Sequence, residues 1–366
     1  MRFIFKTDYD QDIRILKHSG YWWSYGLLLA GLVAAPYVLS TYMQSQIVFV
    51  FIYAIVGVAL MVLTGFTGQA SIGHAAFLAI GAYTAAYLQK LGVPFIVYFP
   101  VAGILTGIIG VMVGFPALRL HGIYLVIATI AFGFIVEEIL ARWESVTHGN
   151  EGLKVRALDM FGGGTVTFPR DEPSFFYLCL GVLVLVLVAA LNLMRSPTGR
   201  AFIAIRDSET AAKSMGVDLA GYKVKSFAIS AAITGLAGCL FAHKMSFISP
   251  EMFTLLLSIE FIMVIIIGGA FGLHGAVLGA IFMVMLDPLL TEIKDAAQGT
   301  PLAGIAGAAG LKGAIYGLII MLFILFEPLG LYGRWLKVKL FFQLFPLYKK
   351  ATFKRQKTYV KSERNR

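Results

Sequence analysis

The sequence predicts an all-α bundle of membrane-spanning helices, and three observations predict it. Of the 366 residues, 58% are hydrophobic and only 14% are charged, whereas a soluble domain is nearer half apolar and about a quarter charged. The apolar residues gather in runs long enough to cross a bilayer, which takes roughly 20 residues of helix. Most Lys and Arg lie beside or between those runs, as orientation in a membrane requires. Backbone in lipid must satisfy its own hydrogen bonds, so spans are helices or closed barrels. These runs are too long and too uniformly apolar for barrel strands, which alternate over about ten residues.

The elements follow in chain order. Residues 1–23 form a charged head with Arg2, Lys6, Arg14 and Lys17. No small-residue cleavage site follows it, so the first apolar run, 24–42, is expected to be a retained helix. Further spans are expected at 47–65, 72–89, 94–115 and 122–141, before a polar segment of balanced charge at 142–173. Then come 174–193, a polar insert at 195–225, and spans at 226–246, 254–271, 273–291 and 312–329. The pair 254–271 and 273–291 share almost no linker. Ten spans place the head, the turn with Arg119, the insert 195–225 and the basic tail 331–366 in the cytoplasm, and 142–173 outside. Eight or nine spans with one re-entrant segment are the alternative.

Several function classes lack support. The net charge of +10 sits beside hydrophobic runs, which suits membrane orientation and, in the tail, contact with anionic lipid, rather than nucleic acid. There is no G-x-x-x-x-G-K-[ST] loop to cradle phosphate. The six histidines are scattered, and there is no H-E-x-x-H, C-x-x-C or G-x-S-x-G. No metal, cofactor or catalytic activity is expected. Cys179 and Cys239 lie in apolar runs and read as small buried hydrophobes.

Two features are candidates for function. The first is a glycine pattern with an internal echo. Gly65-Phe66-Thr67-Gly68, Ile72-Gly73-His74-Ala75 and Gly81 are matched by Gly268-Gly269-Ala270-Phe271-Gly272, Leu273-His274-Gly275-Ala276 and Gly279. Transporters often carry Gly-interrupted helices at corresponding positions of two repeats, beside the substrate path; glycine also simply lets helices pack closely. Each glycine weakens a helix by roughly 1 kcal/mol relative to Ala. Gly68, Gln69, Ser71, Gly73, His74, Gly268 and Gly269 are therefore candidates for the path. Gln69, Ser71 and His74 bring hydrogen-bonding groups suited to a zwitterionic or amide substrate. Glu260 joins them, because a mid-bilayer charge is costly; a bond to a neighbouring helix is its other reading. Glu137, Glu138 and Asp287 fall near span ends and read as interfacial. An ion-coupled transporter would need a second mid-span carboxylate beside Glu260, and none is evident.

The second feature is the insert 195–225. Pro197 and Gly199 make a turn, residues 200–214 have helix-forming composition, and Gly216 is placed to end that helix. An amphipathic helix between two spans suits either a soluble partner or the lipid headgroups.

The run Ala211-Ala212-Lys213-Ser214-Met215-Gly216 resembles the loop by which permeases of ATP-binding cassette importers dock on their ATPases. One departure is Thr210, where the widespread form has Glu before the Ala pair; here Glu209 stands one place earlier. Thr67-Gly68-Gln69-Ala70-Ser71-Ile72-Gly73-His74-Ala75-Ala76-Phe77 with Gly81-Ala82-Tyr83 resembles the branched-chain amino-acid permease family. So do Ser196-Pro197-Thr198-Gly199-Arg200, the run from Gly268 to Ala280, and Glu327-Pro328-Leu329-Gly330-Leu331. The resemblance covers roughly 45–335. It implies a subunit of the bacterial cytoplasmic (inner) membrane that is not itself an enzyme. Its partners would be a second permease subunit, two ATP-binding cassette subunits and an extracytoplasmic substrate-binding protein. Gly199, Arg200, Arg206, Asp207, Glu209, Ala211, Ala212 and Gly216 would form the docking face. Relatives similar in motif carry urea, amides, aromatic acids or sugars.

Overall fold

A computed structural model describes residues 19–344 other than 119, 121, 163, 165, 170, 171, 298–310 and 328. The head cations Arg2, Lys6, Arg14 and Lys17, the turn residue Arg119 and the tail beyond residue 344 lie outside the described residues. The chain runs through α1 (Ser19–Val38), α2 (Thr41–Leu60) with a π-helical turn at Met61–Phe66, α3 (His74–Lys90), α4 (Phe95–Ala117), α5 (Ile123–Arg142) and the single turn α6 (Glu144–Thr147). It continues through α7 (Pro173–Arg195), α8 (Pro197–Asp207), α9 (Glu209–Ser214), α10 (Leu219–Met245), α11 (Leu255–Gly268), α12 (Leu273–Ala297), α13 (Leu311–Phe326) and α14 (Gly330–Leu344). Two short antiparallel ribbons complete it. β1 (Leu153–Lys154) pairs with β4 (Phe247–Ile248), and β2 (Leu158–Asp159) with β3 (Thr167–Phe168).

Each of the ten expected spans is helical, but fewer are long and apolar enough to cross a bilayer. Among the described residues seven are, from Thr41–Phe66 to Leu273–Glu292, and Gly313–Phe326 with Gly330–Phe342 makes an eighth if that bent pair is one span. The two shortfalls have local causes. The apolar part of α1 is Trp23–Val38. Helix α3 has only 17 residues, because the backbone before it is not helical. Its neighbours bury it, so it carries the polarity of an interior helix.

Close backbone approach holds the centre together. Lipid tails are as apolar as the helices, so tight packing rather than the hydrophobic effect drives association. Gly103, Gly107, Gly110 and Gly114 recur on one face of α4, where α10 presents Leu236, Ala232, Ala231 and Val224 to them. On the other side of α10, a Cβ at Gly81 of α3 would strike Gly235, and one at Gly238 would strike the Leu78 carbonyl. The pair with almost no linker is a tight hairpin. Gly269 turns it with φ +101°, Gly268 meets Gly275, and Gly279 meets the Val264 carbonyl. Cys179 and Cys239 are buried and unpaired.

The two ends of the bundle are distinct. At one end the 142–173 segment is tied down. Lys90 Nζ lies 2.8 Å from His148 Nε2, Gln89 Oε1 accepts from Arg156 N at 3.0 Å, and His243 bridges Tyr98 and Arg156. At the other end lie α8 and α9, the non-helical stretch 67–73, the α11–α12 turn and the start of α14.

Candidate functional site

The stretch 65–77 is broken backbone. Helix α2 widens into its π turn, residues 67–73 are not helical, and α3 starts at His74. Gly68 has φ +75°, a conformation glycine adopts without penalty. The loop folds back on the wide turn. Thr67 Oγ1 donates to Val62 O at 2.9 Å, Gln69 N to Leu63 O at 3.1 Å, and Thr64 Oγ1 to Gln69 O at 3.1 Å.

Three neighbouring helices hold the rest of the loop. Gln69 Nε2 donates to Ser226 Oγ at 3.0 Å, and its Oε1 is buried with no hydrogen-bond partner among the described residues. His74 Nε2 lies 2.8 Å from Ser230 Oγ, whose proton goes to Ala59 O. His74 Nε2 is therefore the donor, and Nδ1 accepts from Ser71 Oγ at 3.3 Å. Ile72 N donates to Thr129 Oγ1 on α5, and Ala75 N to Ser258 Oγ on α11, both at 3.0 Å. A Cβ at Gly73 would sit 2.6 Å from the Thr129 carbonyl. Gln69, Ser71 and His74 are all buried.

The two echoing glycine stretches touch. A Cβ at Gly65 would lie 3.1 Å from Ala270 O. Leu329 and Gly330 pack on the second stretch, since a Cβ at Gly269 would strike the Leu329 carbonyl and Gly330, at φ +63°, packs on Gly269. Glu260 sits apart on α11, half-buried, and accepts from Tyr53 OH at 3.1 Å.

The polar insert corrects the expectation of one helix at 200–214. It forms two helices, α8 and α9, because Ser208 caps the second by accepting from Ala211 N. Ser196 and Asp218 cap α8 and α10 in the same way. Gly199 is buried where a Cβ would strike Leu193 and Met194. Gly216, at φ +81°, ends α9 as expected. Its N–H donates to Lys213 O and that of Val217 to Ala212 O, both at 3.0 Å, the two bonds of a Schellman cap. Glu209 pairs with buried Lys223 of α10 at 2.7 Å, and buried Phe202 packs on Tyr222. These contacts fasten the insert to α10. Ala212 is 3% exposed, whereas Arg200, Asp207, Ala211 and Met215 face outward; the Arg206 side chain, 33% exposed, turns toward the carbonyl of Gly65.

Comparison with known proteins decides the family. Residues 42–325 match the family described as branched-chain amino acid transport system / permease component. The chain is 35% identical to the high-affinity branched-chain amino acid transport system permease protein LivM of Escherichia coli K12, over 73% of this chain and 68% of that protein. LivM of Salmonella typhimurium is equally similar. The chain belongs to this permease family. The autoinducer 2 import system permease protein LsrC of an Enterobacter strain is 33% identical, over 31% of this chain. No solved structure matches.

The structure adds residues to this permease's candidate site that sequence reasoning missed. Lys223, Ser226, Ser230, Thr129 and Ser258 receive the loop and the insert. A lone hydroxyl in an apolar run carries little signal, but Ser226, Ser230 and Thr234 recur every four residues, which places them on one helix face. An apolar groove of about 1000 Å³ also lies between α3, α4 and α5, bordered by Tyr83, Leu105, Met112, Phe132 and Trp143. None of the candidate path residues lines it.

Proposed function

We propose that this permease forms the translocation path of an ATP-driven importer for branched-chain amino acids in the bacterial cytoplasmic membrane. Separate ATPase subunits drive it, a second permease subunit completes the path, and an extracytoplasmic binding protein delivers substrate. The observation that carries the reading is the outward face of α8 and α9, a short polar cap on two membrane helices. The Glu209–Lys223 pair holds this cap in place. A buried charge needs such a partner, so the segment is fixed before any partner arrives. The 195–225 end is then cytoplasmic and the 142–173 end extracytoplasmic. Met215, 84% exposed, provides the test. Met215→Cys is expected to cross-link to an ATPase subunit in the assembled importer. A cysteine there that reacts only from the outer side, or joins no ATPase, contradicts the reading.

The path is proposed to pass beside the broken stretches 65–77 and 268–276. Gln69 Oε1, buried without a partner among the described residues, supports that placement. Gln69→Leu and Ser71→Ala are expected to lower leucine uptake several-fold, or to change its selectivity, with the complex still assembled. If these variants lose thermal stability while uptake per folded transporter holds, the loop's polar groups serve packing alone.

A further inference from the structure

We propose that Arg206 transmits the position of the docking segment to the broken end of α2. This rests on the reading that α8 and α9 seat on ATPase subunits, and it names the residue through which that seating is felt.

Two independent contacts carry it. Arg206 Nη1 donates to Gly65 O at 3.2 Å, within the π turn, a geometry that frequently marks functional positions in helices. Arg206 Nε and Nη2 both donate to Asp207 Oδ1, at 3.0 and 2.9 Å. The adjacent carboxylate thus sets the plane of the guanidinium and leaves Nη1 for Gly65. A guanidinium's rigid fork suits this double duty and an ammonium does not. The second contact is steric. A Cβ at Gly68 would lie 3.1 Å from Arg206 Cγ, 3.3 Å from its Cα and 3.4 Å from its Cβ. The loop backbone therefore rests on the root of the arginine while the tip holds the π turn.

What lies beyond the contact gives it consequence. The residues after Gly68 bond to α10 through Ser226 and Ser230, to α5 through Thr129, and to α11 through Ser258. Glu209 and Phe202 tie the insert to α10 alone. Arg206 ties it to α2 and to the loop on which α5, α10 and α11 converge. A shift of α8 cannot occur without moving or breaking this junction.

The test uses the assembled importer in proteoliposomes, with leucine as the probe and with Arg206→Ala, Arg206→Lys, Gly68→Ala and the double Arg206→Ala/Gly68→Ala variant. ATPase subunits retained, ATP hydrolysed and leucine moved are measured together. Both single alanine variants are expected to keep their ATPase subunits. The ATP hydrolysed per leucine should rise on the order of tenfold, the scale of one lost charge-assisted hydrogen bond. Arg206→Lys should recover part of the loss. The double variant should be no worse than the more severe single, because both changes act on one contact. An unchanged ratio in Arg206→Ala, or additive effects in the double, overturns the proposal. So does loss of ATPase subunits from Arg206→Ala, which would make Arg206 part of the docking face. Should Gly68→Ala fail to reach the membrane, Arg206→Ala against Arg206→Lys decides. A wild-type complex without ATPase subunits fails the docking reading itself, and the inference with it.

Discussion

Gly235→Leu is expected to leave almost no folded protein in the membrane. Gly235 is where α10 passes between α3 and α4. A Cβ there would lie 2.6 Å from Thr106 Cβ and 2.9 Å from Ala102 O, and would also strike Thr106 Oγ1. From the other side, Gly81 meets the backbone of Gly235 itself. Neither neighbour is the free end of a flexible side chain, so helices rather than rotamers must move. Overpacking of a tight core costs about 1–3 kcal/mol when side chains can yield; here backbone must yield on α4, and the expected loss lies at or above the top of that range. Gly133→Leu on α5 is the control, since among the described residues nothing stands within 4 Å of a Cβ there. Size-exclusion profiles and melting of detergent-solubilised protein check both. If Gly235→Leu melts like the wild type, the packing of α10 described above is wrong.

Ala211→Trp is expected to abolish uptake while the protein inserts and folds normally. The sequence treats Ala211 and Ala212 as an equivalent pair, and the structure separates them. Ala212 is buried against the insert's own neighbours, so a bulky residue there damages the fold and cannot report on docking. Ala211 faces outward on α9, where a Trp is expected to project away from the described residues and to obstruct a partner. Surface substitutions away from special features usually change stability by within about 0.5 kcal/mol. Normal melting together with loss of ATPase association is therefore the signature of a docking residue. Normal uptake by Ala211→Trp would remove α9 from the docking face.

The fold class was legible because lipid admits few architectures, and composition alone selects among them. All ten expected runs are helices, with boundaries displaced by a few residues. What stayed hidden was local and polar. Ser208 lies between two stretches of helix-forming composition, with Ala211 rather than Glu or Gln three residues on to complete a capping box, and one helix was expected where two exist. Glu209 stands one place from the position its resemblance favours. Its pairing with Lys223 could not be read from a sequence that separates the two by 14 residues. The hydrogen-bonding groups at 69–74 were visible, but not their partners. Ser226 and Ser230 lie more than 150 positions away, and only the crossing of α3 and α10 brings them close.

The central claim is that this permease moves substrate only when separate subunits hydrolyse ATP. The direct measurement is leucine uptake into proteoliposomes, with the permease pair reconstituted with and without the ATPase subunits and with the binding protein present. Uptake that requires both the ATPase subunits and ATP on the cytoplasmic side, and that an imposed sodium or proton gradient cannot replace, is the result this account predicts. Uptake by the permease chains alone, driven by an ion gradient and lost on Glu260→Gln, would contradict it and make the protein an ion-coupled transporter.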